Sequence, residues 1–340
     1  MKISVVIPYY QEAPGILARA LKSIFDQQLD PGVILDVIVV NDTSPLDPAM
    51  DIAAVGAPPA QIAIRTILRV NGGPAAARNT GFAAVPADAD YMAMLDSDDT
   101  WSPNHIARAI EGFRLSNADV YFSDHASHHH AAYLDGTKMF TDPLVSPGAL
   151  EPLPGDRYFV ASGHYMASSA AREFLAHSST VLCRASMLRD GLRMPEKLRW
   201  AGEDHNFFID MTLKAEKVCL SMQSEAALGR GVSIYEGAHE WGSLKDLRRR
   251  AYNVAAVRRV QHRAQWPRAI RADLAEGVAA GRRIVGYLLM RRILRPRGPD
   301  MEAVRLVWGI DRQTVVCAPF SVIDVFARKV LRKAGLKVAP

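Results

Sequence analysis

Cysteine is nearly absent: Cys183, Cys219 and Cys317 are too few, too far apart and the wrong number for a disulfide framework or a zinc knuckle. No apolar run reaches the roughly 20 residues that a membrane-spanning helix needs. Met1–Tyr10 enters a strand-like pattern without the basic and apolar regions of a secretory leader. A reducing, cytoplasmic setting is therefore expected. Repeats of fixed period are missing, which excludes solenoids. Acids are scarce at one end only: residues 241–340 hold 22 Lys+Arg against 7 Asp+Glu, a balance of +15, while 1–240 hold 19 against 29, a balance of −10. The net charge of +5 conceals two regions, and the basic one is expected to meet an anionic surface.

At 340 residues and 49% hydrophobic, the chain can bury a large core and carry an appendage. Ile3–Ile7 (ISVVI), closed by Pro8, reads as a first buried strand, and Val33–Val40 (VILDVIVV) as a second. Between them Pro14–Gln28 has the apolar spacing of an amphipathic helix, so the unit is parallel and right-handed. A third strand at Ile62–Leu68, a helix at Ala75–Ala84 and a fourth strand at Tyr91–Leu95 continue the alternation. A helix at Asn104–Leu115 and strands at Val120–Phe122, around Ser179–Leu182 and at Val218–Leu220 follow, with a helix over Gly202–Leu213. His125 and His128–His130 sit among prolines and read as a solvated loop rather than a metal site.

The fourth strand ends in Asp96, Asp98 and Asp99, and Asp42 follows the second. Strand C-termini are where open α/β sheets bind ligands. Three adjacent carboxylates repel unless compensated, and a hard divalent cation with oxygen ligands is the natural partner. The plainer reading is a polar turn into a helix, with Ser102 as N-cap and Pro103 at its first position.

These features together resemble glycosyltransferase family 2, inverting enzymes of GT-A fold that use nucleotide-diphosphate sugars. The matching stretches are SVVIPYY (Ser4–Tyr10), VVND (Val39–Asp42), NGGPAAARNTG (Asn71–Gly81), LDSDD (Leu95–Asp99) and GEDHNFF (Gly202–Phe208). A looser resemblance points to bacterial exopolysaccharide glycosyltransferases of the succinoglycan type. The implied fold is α/β, a Rossmann-like nucleotide-binding mixed sheet flanked by helices over 1–244, with a basic helical extension over 245–340.

The resemblance implies roles. Pro8 and Tyr9 would hold the nucleotide base by backbone contact and stacking. Asp42 would accept from a uracil-type imide, although an Asx-turn explains it equally. Gly72 and Gly73 permit close backbone approach, and Arg78 can pair with a phosphate or simply face solvent. Asp96 and Asp98 supply the D-x-D pattern, with Asp98 as the metal ligand for Mg²⁺ or Mn²⁺. Asp204 is the candidate general base and Glu203 its neighbour that positions the acceptor or loop. The same two acids could merely favour a helix N-terminus. In IYEGAHEWGS (Ile234–Ser243), His239 is a candidate metal or phosphate ligand, displaced by one position from the family pattern.

The implied partners are a UDP-sugar donor and a glycan or lipid-linked acceptor. The arginine-rich stretches Arg282–Arg297 and Ser321–Leu336 either lie on an anionic bilayer at the inner face of the membrane or pack by their apolar faces. Nucleic acid is not expected, because few aromatics interleave the tail arginines. Two alternatives remain. A sugar nucleotidyltransferase normally carries a glycine- and arginine-rich loop after its first strand, and Pro8–Pro14 (PYYQEAP) is no such loop. A nonenzymatic nucleotide-sugar-binding protein on the same scaffold would not need both Asp98 and Asp204.

Overall fold

β-Branched runs buried on both faces set the sheet, as parallel strands covered by helices require. The computed structural model describes residues 1–126, 132–141, 149–154, 158–231, 240–264, 266–295 and 298–333, with side chains to 328. The chain forms β1 (Lys2–Tyr9), α1 (Ile16–Phe25), β2 (Ile34–Asn41), α2 (Pro48–Val55), β3 (Ile62–Leu68), α3 (Pro74–Ala83), β4 (Tyr91–Met94), β5 (Thr100–Trp101), α4 (His105–Ser116) and β6 (Val120–Ala126). There follow α5 (Lys138–Thr141), β7 (Glu151–Pro152), β8 (Tyr158–Ser162), α6 (Gly163–Ala170), β9 (Val181–Arg184), α7 (Ser186–Arg189), α8 (Glu203–Lys214) and β10 (Lys217–Ala227). The last helices are α9 (Leu244–Gln261), α10 (Arg268–Ile293), α11 (Met301–Ile310) and α12 (Arg312–Lys333).

One mixed sheet has the order β3-β2-β1-β4-β9-β6-β10-β8-β7, with β5 pairing β10. The first four strands in that order are parallel, Val5 standing opposite both Val37 and Ala93. β9 runs antiparallel to β4 and β6. Its N-terminal end therefore lies at the same sheet edge as the C-terminal ends of β1, β2, β4, β6 and β10, and that edge collects the polar residues described below. Pro8 does not end β1, which continues to Tyr9 beside β2. On its other side the pairing with β4 stops at Val6, so the N–H that proline lacks is not needed there.

The chain divides into two compact units, Met1–Arg199 with Asp204–Val232, and Trp200–Glu203 with Ser233–Pro340. The core of the first joins Ile3, Val5 and Ile7 with Leu17, Leu21, Leu35, Val37, Trp101, Phe113 and Tyr121. In the second, α9 to α12 enclose Leu247, Val254, Val285, Leu288, Leu289, Val307 and Ala318. The apolar residues of α10 are thus used in packing inside their own unit. Gly286 brings α12 close: a Cβ there would lie 2.4 Å from the Ser321 hydroxyl. None of the described helices is long and apolar enough to cross a membrane.

Candidate active site

β4 ends at Met94, and the turn after it places three carboxylates at the sheet edge. Arg78, 4% exposed on α3, pairs with Asp96. Burial works to raise the Asp96 carboxyl, but the charge and hydrogen bond of Arg78, with His177, hold it below the usual range. Asp99 is buried and accepts from the Ser179 hydroxyl at 2.6 Å and from the Gly229 N–H at 2.8 Å. The Oδ2 that Ser179 reaches also lies 3.4 Å from His177 Nδ1. Burial pushes Asp99 up to about 6, and Asp96 and Asp98 add to the rise while His177 opposes it. Asp98 is likewise raised, first by burial and then by Asp96.

Among the described residues, Asp96, Asp99 and His177 form the group able to hold a metal ion, with ligand atoms all within 4.8 Å of one another. Two carboxylates and an imidazole suit Mn²⁺ or Mg²⁺, the nitrogen favouring the former. Asp98 is outside this group; its side chain lies so close to Gly231 that a Cβ there would sit 2.9 Å from Asp98 Oδ2. His239 lies outside the described residues. Neither His177 nor Ser179 stood out in the sequence. Both belong to the turn that enters β9, and only its antiparallel course brings that turn to the acids.

Ser179 also accepts from the Asp96 N–H at 3.0 Å, and its carbonyl takes the Trp101 indole N–H at 2.6 Å. One buried serine thereby ties both acids to the sheet. Ser102, expected as a helix cap, instead donates its N–H to the Glu225 carbonyl beside β5, and α4 begins at His105.

Asp42 has four short contacts within its own chain: Arg69 Nη1 at 2.8 Å, the Gly72 N–H to both oxygens, and the Gly73 N–H at 2.8 Å. A carboxylate accepts about four hydrogen bonds, so Asp42 organises the glycine turn. Gly73 adopts φ +88°, a conformation suited to glycine, and its α-carbon faces the Arg199 side chain. The Tyr9 ring is 1% exposed and belongs to the core, which removes it as a stacking surface; Tyr10 is 37% exposed. Tyr9 serves the site through its carbonyl, which accepts from the Asp42 N–H at 3.0 Å. Pro8 is half-buried in the strand beside it.

His125 is not on a solvated loop. It is the next-to-last residue of β6, is 5% exposed, and stacks on Tyr133 with ring centroids 4.9 Å apart, while His128–His130 lie outside the described residues. It begins a row of rings: His177 to His125 is 5.9 Å, Tyr133 to Phe174 is 6.5 Å, and Phe174 to His205 is 5.8 Å. The row leads from the metal-ligand group to the residue after Asp204. Asp204 is half-buried, accepting its neighbour's N–H at 2.7 Å. Phe207 stacks on Phe82 at 5.4 Å, which packs the start of α8 on the helix that carries Arg78. Glu203 is buried and is grouped with the second unit. A surface recess of about 410 Å³ lined by Asp30, Asn104, Arg108 and Glu111 includes none of these residues.

The family model "Glycosyl transferase family 2" matches residues 4–141. The succinoglycan biosynthesis protein ExoW of Rhizobium meliloti (strain 1021) is 33% identical over 284 residues, covering 78% of this chain and 85% of that protein. ExoO of the same organism is 35% identical over 119 residues, covering 35% and 31%. Among solved structures, S. aureus TarS 1–349 in complex with UDP-GlcNAc superposes with a TM-score of 0.59 at 16% identity, over 100% of this chain and 93% of that one. The mannosyltransferase PcManGT from Pyrobaculum calidifontis, in complex with GDP-Man and Mn²⁺, gives a TM-score of 0.54 at 14% identity, over 94% and 86%. At such identities the structural likeness is one of fold.

Proposed function

The chain belongs to glycosyltransferase family 2, and we propose that it is an inverting, metal-dependent hexosyltransferase moving a sugar from a UDP-sugar to a glycan hydroxyl in exopolysaccharide synthesis. The observation that carries this reading is the row of rings from the Asp96–Asp99–His177 group to His205, beside Asp204. It relates that group to the Asp204 carboxylate within one unit. Asp96, Asp99 and His177 would hold Mg²⁺ or Mn²⁺, with Asp98 next to them. Bound there, a divalent ion neutralises the charge that grows on a departing diphosphate.

Arg78 keeps Asp96 ionised and oriented, so its own charge is spent on the acid rather than on a phosphate. The Gly72–Gly73 turn, braced by Asp42 and Arg69, leaves backbone close to the sheet edge for the nucleotide. Asp204 takes the proton of the acceptor hydroxyl as that oxygen attacks the anomeric carbon. Attack from the face opposite the diphosphate inverts the anomeric centre. Glu203, next to Asp204 in the sequence, takes the role of positioning the acceptor.

The relatives support the substrate class: ExoW is a succinoglycan biosynthesis protein, and the TarS structure is a complex with UDP-GlcNAc. A lipid-linked acceptor follows if the +15 region brings the enzyme to an anionic inner leaflet. Organisation into a catalytic domain over 1–244 and an attachment region over 245–340 is part of the same proposal. A thermal-shift screen of nucleotide sugars with Mn²⁺, followed by assay of UDP release, tests it. Stabilisation and metal-dependent turnover with a UDP-sugar are expected; binding without turnover in any acceptor mixture leaves a binding protein.

A further inference from the structure

Helix α12 inverts the usual amphipathic arrangement. Its inner face buries Ala318 and Ser321, and Asp324 pairs with Arg283 of α10 and with Arg328 one turn on. Its outer face exposes Val316 (65%), Phe320 (70%), Ile323 (67%) and Phe326 (57%). Pro319 and Ala327 complete that face, and the one charged residue from Val316 to Ala327 is Asp324, whose side chain is 40% exposed and held by Arg283 and Arg328. Surface helices normally show charge there. On α11, Trp308 and Met301 are exposed as well. The α12 stripe alone leaves on the order of 500 Å² of apolar surface in water, the size that marks an interaction site.

Charge decides what covers it. The Arg312 guanidinium lies 5.6 Å over the Trp308 ring, and Arg305 is exposed. A second copy would bring an equal +15 region against this one, and the patch falls short of the ~800 Å² per partner of a stable interface. An anionic lipid surface satisfies both halves: rings enter the acyl boundary while arginines reach the phosphates. We infer that the outer face of α12 inserts into the interfacial layer of an anionic bilayer through Val316, Phe320, Ile323 and Phe326.

This rests on the membrane-surface reading above, and the experiment separates the two. The full chain is floated with vesicles of phosphatidylcholine alone and with added phosphatidylglycerol, beside the triple variant F320S/I323S/F326S. Wild type is expected to float with the anionic vesicles only, and the variant to partition at least tenfold less with unchanged circular dichroism. If wild type does not float, surface attachment itself fails and the inference with it. If the variant floats equally well, attachment by charge survives and insertion is overturned. Light scattering that shows a wild-type dimer, lost in the variant, would assign the face to a second copy instead. Should the triple variant misfold, the single variant F320W in a W308F background, read against W308F alone, decides: quenching of its emission by brominated lipid supports insertion and its absence overturns it.

Discussion

Asp246 and Asp311 of the helical unit are treated oppositely to Asp98 and Asp99 of the α/β unit. In the helical unit these two are surrounded by donors: Asp246 accepts from Arg249, Arg250 and the Gly242 N–H, and Asp311 accepts from Arg258, Arg282 and Thr314. Both carboxyls are held below their ordinary value, because these donors outweigh burial. In the α/β unit, Asp98 and Asp99 lie near Asp96, and Arg78 compensates Asp96 alone. Burial raises them, and mutual repulsion adds to it. An acid surrounded by arginine strengthens the fold; acids crowded together weaken it and favour a cation. The contrast separates architecture from chemistry without reference to any relative.

The largest test of that separation is Asp204→Asn, which keeps shape and removes basicity. Turnover is expected to fall by about 10²–10⁴, the usual contribution of a general base, with UDP-sugar affinity unchanged by calorimetry. A fall in affinity with turnover preserved would place Asp204 on the architectural side. Next is Asp311→Ala, which strips two arginines of their partner. Breaking a buried pair costs ~3–5 kcal/mol, but Arg258 and Arg282 are 39% and 18% exposed and can turn to water. About 2 kcal/mol of denaturant stability at pH 7 is therefore expected. Since Asp311 is held low, that contribution is present above pH ~4, the unfolded value, and disappears as pH falls further.

Asp99 has the reverse sign. With its folded value raised to about 6, the metal-free protein is more stable below pH ~4 and loses stability as pH rises through 6. Asp99→Asn should therefore stabilise the EDTA-treated protein by about 1–2 kcal/mol at pH 7.5 and change nothing at pH 4. Mn²⁺ should raise the melting temperature of wild type at pH 7.5, less so below pH 6, and not at all in Asp96→Asn. An equal cost for Asp99→Asn and Asp311→Ala at both pH values would erase the distinction between the units.

Much of the first unit was legible because its signals are local. The β-branched runs at β1, β2 and β3, and the acids after β4, fall where sequence pattern puts them. What escaped depends on order in the sheet. β10 runs over 11 residues, yet only its first apolar positions read as strand. Ser221 and Glu225 disguise it, and they are affordable inside because Glu225 accepts from Tyr121, Ser221 and His105. His177 reaches Asp99 only because β9 is antiparallel, a fact no local pattern carries. Tyr9 illustrates the opposite error: its motif placed it at a ligand, and its alternation in the strand placed the ring in the core.

The smallest effect concerns Gly73, where architecture and chemistry meet. At φ +88°, alanine is strained by about 1 kcal/mol, and its Cβ would come within 3.1 Å of the Arg199 side chain. Arg199 is anchored at its tip by Asn71 Oδ1, 2.5 Å from Nη2, so it can shift only by giving up that bond. The Gly73 N–H is also one of the donors on Asp42, and displacing it loosens the turn proposed above to approach the nucleotide. Gly73→Ala should accordingly raise KM for the donor several-fold and leave kcat near that of wild type, because Asp204 and the metal ligands are untouched. A fall in kcat with KM constant would move the glycine turn from donor binding to the reacting centre.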